Sequence, residues 1–140
     1  MRTDDRVWAI DANVILRFVL RDHTDLSPKA RTIMVAVMEG GLTVSCDPVV
    51  LAEVVWVLTS FYKLPRTEIC AALEPIVLCD NVLMPKKDRC LKALRIFGTT
   101  TAHFGDACAC AAALEDCDGR LLSFDRKLSA VEGITRAESP

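Results

Sequence analysis

Apolar residues along this chain come in two forms: short runs that stop sharply, and longer stretches with helical spacing. "RVWAID", Arg6 to Asp11, is of the first kind and predicts a buried strand. "ANVILRFVLRD" follows with helical length and apolar spacing, and "HTDLSP" breaks it. Ser27-Pro28 opens a second helix through "KARTIMVAVMEG", closed by Gly40 and Gly41. "LTVSC" predicts a short strand, after which Asp47-Pro48 starts a helix through "VVLAEVVWVLTSFY". "LPRTEICAALEPIV" predicts another helix beginning near Pro65, with Thr67 as its cap. "NVLMP" reads as a brief strand and "KKDRCLKALRIF" as an amphipathic helix. After the loop "GTTTAHFG", the small side chains of "DACACAAALEDC" suit a tightly packed helix. "RLLSFD" then repeats the opening form, a short apolar strand ending in aspartate. Short strands alternating with helices predict a parallel sheet between helical layers.

Composition narrows the class without naming a function. The 140 residues suit one domain, and 51% hydrophobic with 26% charged residues describes a globular chain. No apolar run is long enough to cross a bilayer, and "MRTDDR" lacks the form of a secretory leader. The net charge of −2 gives no global pull toward nucleic acid, so any such binding needs a local basic face. Arg17 and Arg21, the group Lys86, Lys87, Arg89, Lys92 and Arg95, and Arg126 with Lys127 are the candidates; solvated helix faces explain each group taken singly. The seven cysteines form no C-x-x-C pair, and Cys70, Cys79, Cys90 and Cys117 sit among apolar residues. Free thiols in a reducing cytoplasm follow, with zinc or disulfides as the alternative.

Four acids stand out by position. Asp11 and Asp125 each close a predicted strand, where ligands gather in parallel sheets. Each is also explained as a helix cap, and Asn13 could take the cap in place of Asp11. Asp106 opens a helix after Gly105, where an acid interacts well with the helix dipole. Glu53 lies in a helix that is apolar around almost its whole circumference, which places it near the interior unless it reaches an exposed edge. Ser123 shares a strand face with Asp125. Carboxylates converging on one crevice would need a divalent cation, and an oxygen-only set favours Mg²⁺ or Mn²⁺ over zinc.

With "IDANVILRFVL", "EVVWVL", "FGDACACAAAL" and "LLSFDRKL" in this order, the chain resembles the PIN-domain family. It is most similar to the VapC-type ribonuclease toxins of bacterial and archaeal toxin–antitoxin pairs. The resemblance implies a three-layer α/β/α sandwich with a short central parallel sheet, filling residues 1–140 as a single PIN domain. Residues 1–5, "MRTDD", precede the first predicted strand as a short extension, which is expected to be disordered or to touch a partner. It implies that Asp11, Glu53, Asp106 and Asp125 hold one or two Mg²⁺ or Mn²⁺ ions, supported by Asn13 and Ser123. Gly105 is smaller than the residue many relatives carry there.

The activity so implied is metal-assisted hydrolysis of RNA phosphodiesters, with Arg17, Arg21, Arg126 and Lys127 holding phosphates. A cognate VapB-like antitoxin with its C-terminal segment in a groove, and a homodimer, are the implied partners. A housekeeping RNA-processing nuclease and a non-catalytic RNA-binding or scaffold module are the alternatives; the latter predicts missing acids, and here all four stand. An aspartyl phosphatase would want a second acid two residues after Asp11, where Asn13 stands.

Overall fold

The computed structural model describes residues 6–140, so the N-terminal extension lies outside the described residues. The elements run β1 (Val7–Ala9), α1 (Ala12–Leu20), α2 (Leu26–Met38), β2 (Thr43–Ser45), α3 (Pro48–Ser60) and α4 (Arg66–Leu78). They continue with β3 (Val82–Leu83), α5 (Lys87–Thr99), α6 (Phe104–Asp116), β4 (Arg120–Leu122), a 3₁₀ turn (Arg126–Ala130) and β5 (Thr135–Ala137). The architecture is α/β/α, as the alternating pattern predicts.

Helix identity follows from which side chains each segment can bury. In α1, Ala12, Ile15 and Leu16 are buried at helical spacing, with Val19 packed against the same core. Helix α5 buries Cys90, Leu91, Ala93, Leu94, Ile96 and Phe97 between α4 and α6, leaving Lys92 and Arg95 in solvent. The α4 start differs from expectation: Pro65 stands at the cap position without a side-chain bond, and Thr67 falls inside the first turn. Helix α6 begins two residues before Asp106, at Phe104, whose ring the core takes up.

All paired strands are parallel, but they do not form one continuous sheet. Strand β2 lies between β1 and β3, with Val7 opposite Thr43 and Val44 opposite Val82, while β4 pairs only with β5. β5 is absent from the sequence reading, because "TRA" has no apolar run to mark it.

The expectation of a buried first strand is also corrected. Val7 is 52% and Trp8 50% exposed, since β1 forms an edge of its sheet among the described residues. Leu122 and Phe124, on and just after β4, are exposed in the same way. An edge strand buries little until something lies beside it. Most of the core lies among the helices, where Leu58, Ile69, Leu73, Leu94 and Phe97 are among the large side chains closed from solvent.

Candidate active site

Asp11 stands in extended backbone between β1 and α1 and caps the helix, its Oδ1 accepting the Val14 N–H at 3.2 Å. Asn13 is exposed in the first turn and does not take the cap. One carboxylate oxygen of Asp11 is therefore engaged in fixing the side chain, and among the described residues the other makes no hydrogen bond. Asp125 repeats the arrangement after β4: its Oδ1 accepts the Lys127 N–H at 3.0 Å, and its own N–H donates to Ser123 Oγ at 3.0 Å. Arg136 holds this corner from β5, donating through Nη1 to the Ser123 carbonyl at 2.7 Å and through Nε to Ser129 Oγ at 3.0 Å. Nothing in the sequence marks Arg136, since the strand that carries it is itself unmarked.

Asp106 is the third residue of α6 and half-buried, between the buried Phe104 and Ala107. Neither its carboxylate nor that of Glu53 makes a hydrogen bond or ion pair among the described residues. Glu53, however, is exposed, against the expectation of an interior position. Helix α3 buries Leu51, Val54, Val55 and Leu58, and Glu53 lies on the other side with Val49 and Trp56, which are 74% and 66% exposed. The apolar circumference of α3 thus exceeds what this domain covers, and an all-round apolar helix does not by itself locate an acid inside.

The expected meeting of the acids in one crevice is not assembled here. Among the described residues, no three His, Cys, Asp or Glu side chains lie together as a metal ion would need. The sheet explains part of this, because Asp11 follows a strand of the three-stranded sheet and Asp125 a strand of the other. A groove of about 490 Å³ does open beside Asp11, lined by Trp8, Ile10, Val14, Ile33 and Val44. The donors fit a hard divalent cation in kind, being carboxylate oxygens, and among the described residues those of Glu53 and Asp106 make no hydrogen bond or ion pair.

The basic candidates divide. Arg126 and Lys127 are exposed directly after Asp125. Arg17 is half-buried and partnered: Nη1 donates to Asp22 Oδ1 at 2.8 Å, Nη2 to the Tyr62 hydroxyl at 3.3 Å, and the side chain is 17% exposed. Arg21 ends α1 in left-handed backbone, and a helix rising about 1.5 Å per residue puts it at the far end from Asp11. On α5 and just before it, the basic group is largely spoken for: Arg89 pairs with Glu115 and Asp116, Arg95 with Glu74, and Lys87 donates to the Cys79 carbonyl. His23 is an exposed loop residue whose Nδ1 accepts the Asp25 and Leu26 N–H groups; His103 is the exposed N-cap of α6.

All seven cysteines are free, as expected, although Cys117 is exposed and not a core residue. Burial pushes the Cys46 thiol up from its ordinary 9.0 to about 11, with Asp47 and Cys90 adding to the shift. Burial likewise lifts Cys108 to about 11, with Cys90 contributing. A raised thiol pKa in the fold means the neutral form is favoured there. That contribution to stability is complete below pH 9.0 and is lost as pH rises toward 11. Denaturation midpoints are expected to fall across that window. At pH 7.5 a thiol reagent should label Cys117 rapidly and Cys46 only on unfolding; comparable labelling rates would contradict the assignment.

A family model described as PIN domain matches residues 9–134. No curated protein matches the chain.

Proposed function

The chain belongs to the PIN-domain family, and we propose that it is a Mg²⁺- or Mn²⁺-dependent endoribonuclease. Members of the family are generally nucleases that use divalent metal ions. The observation that carries the proposal is the family match over residues 9–134, which spans all four acids. Asp11 and Asp125 also follow the carboxyl ends of parallel strands, where such sheets bind ligands.

Asp11, Asp106 and Asp125 would hold the cation, with Glu53 as a further ligand or as the group that orients attacking water. A bound ion supplies Lewis acidity, easing the ionisation of water near neutral pH and offsetting negative charge on a phosphoryl group. The chain's own residues do the rest. The Val14 N–H fixes the Asp11 carboxylate, and Lys127 N–H fixes that of Asp125, so each presents one remaining oxygen in a set direction. Ser123 Oγ holds the Asp125 backbone. Hydrogen bonds that hold a carboxylate in this way orient it toward a cation and raise affinity. Arg126 and Lys127 offer phosphate contacts beside the acids.

The ordered motifs support a finer role, the cytoplasmic toxin of a toxin–antitoxin pair. The exposed apolar residues Val49 and Trp56 of α3, with Phe61 just beyond it, favour a surface covered by a second chain, either another copy or a VapB-like antitoxin. Among the described residues no helix is long and apolar enough to cross a membrane. The test of the activity is cleavage of structured RNA by the purified chain with Mg²⁺, with Mn²⁺ and with chelator. Cleavage that needs the ion supports the reading, and undiminished cleavage in chelator contradicts it. A housekeeping nuclease is separated from a toxin by growth: induced expression should arrest cells, and co-expression of a small neighbouring gene product should relieve the arrest.

A further inference from the structure

We propose that Arg66 is a positioning residue for Asp106, fixing the start of α6 through the turn that precedes it; this rests on the acid-site reading above. Arg66 is the first residue of α4, where a cation meets the unfavourable positive end of the helix dipole. Its guanidinium turns onto the chain that leads into α6. Nη1 donates to the carbonyl oxygens of Phe97, at 3.2 Å, and Ala102, while Nη2 donates to that of Thr101 at 3.2 Å. The same group lies over the Phe97 ring, 4.6 Å from its centroid. Phe97 in turn meets Phe104 edge to face at 6.0 Å, and Phe104 is the residue on which α6 begins.

The turn is held from its other side as well. Thr100 Oγ1 accepts the Ala102 N–H at 3.2 Å and donates to the Ile96 carbonyl at 2.7 Å. The His103 carbonyl then takes the first helical bond, from Ala107 N–H at 2.8 Å. Asp106 sits inside that first turn, and among the described residues its carboxylate has no hydrogen bond to aim it. Its direction is therefore set by where the helix starts, and Arg66 sets the start by gripping the last carbonyls before it. Only a planar fork of several N–H donors can reach these carbonyls while stacking on a ring; a lysine offers one rotating ammonium.

The test reads Mn²⁺ binding by the free-ion electron paramagnetic resonance signal, with the full chain and no RNA. Wild type is compared with Asp106→Asn, Arg66→Lys, the double variant, and Arg95→Ala, which breaks a different α4–α5 contact. Arg66→Lys should weaken Mn²⁺ binding about tenfold, the lower end of what outer-shell partners contribute. It should add nothing in the Asp106→Asn background, because the two act through one carboxylate. Arg95→Ala should bind as wild type does. Wild-type affinity in Arg66→Lys, an equal further loss in the double variant, or an equal loss in Arg95→Ala would each overturn the positioning role. If Arg66→Lys melts below the assay temperature, Arg66→Gln serves the same comparison. Wild type and Asp106→Asn binding Mn²⁺ alike would instead remove the acid site itself, and this role with it.

Discussion

Asp11→Asn is expected to abolish metal-dependent RNA cleavage while leaving the fold intact. Two roles meet at Asp11, and this substitution separates them. As the N-cap of α1 its oxygen accepts the Val14 N–H, and asparagine caps a helix about as well as aspartate does. What asparagine removes is the negative charge that a divalent cation needs. Loss of several kcal/mol of charge stabilisation corresponds to about a thousandfold in rate. Cleavage of structured RNA in Mn²⁺, read beside thermal denaturation, checks both halves. Asp11→Ala should lose the cap as well, at about 1 kcal/mol. Equal cleavage by wild type and Asp11→Asn would take Asp11 out of the reaction.

Gly119→Ala is expected to give the largest stability loss of any glycine-to-alanine change in this chain. Gly119 joins α6 to β4 at a φ of +80°, in the region that side chains with a Cβ avoid. A Cβ there would lie 2.0 Å from the Gly133 carbonyl oxygen, which is backbone and cannot swing aside. Relief would require pulling the two segments apart, and the bond from Thr135 N–H to the Gly119 carbonyl, 2.8 Å, opens β4–β5 pairing at this point. The left-handed backbone and the overpacking together amount to roughly 2–5 kcal/mol. Urea denaturation measures it. A midpoint within experimental error of wild type would show that the junction yields without cost.

Much of this fold is legible in the residues because it rests on local signals. The apolar spacing of "ANVILRFVL", the Asp47-Pro48 start of α3 and the aspartates ahead of α1 and the 3₁₀ turn all act within one turn of chain. What is not legible depends on contacts between distant segments. β4 pairs only with β5, so Leu122 is exposed and Asp125 follows a strand of a separate sheet, and no apolar run announces β5. Glu53 shows the same gap from the other direction. Its neighbours are apolar on every side, yet the domain covers only one face of α3. The partners of Arg17, Asp22 and Tyr62, are likewise invisible in the sequence, since Tyr62 lies 45 residues away. For Arg66 a signal does exist: a cation at the first position of a helix opposes the dipole and therefore needs another use. The four acids themselves stand out by position along the chain; their meeting is a tertiary matter, and among the described residues no three of them gather.

The central claim is that Asp11, Asp106 and Asp125 share a divalent cation. Anomalous diffraction from crystals soaked in manganese tests it most directly. The account predicts a manganese peak within about 2.5 Å of carboxylate oxygens from at least two of these residues. Carboxylates that stay apart, with manganese absent or bound elsewhere, would contradict it.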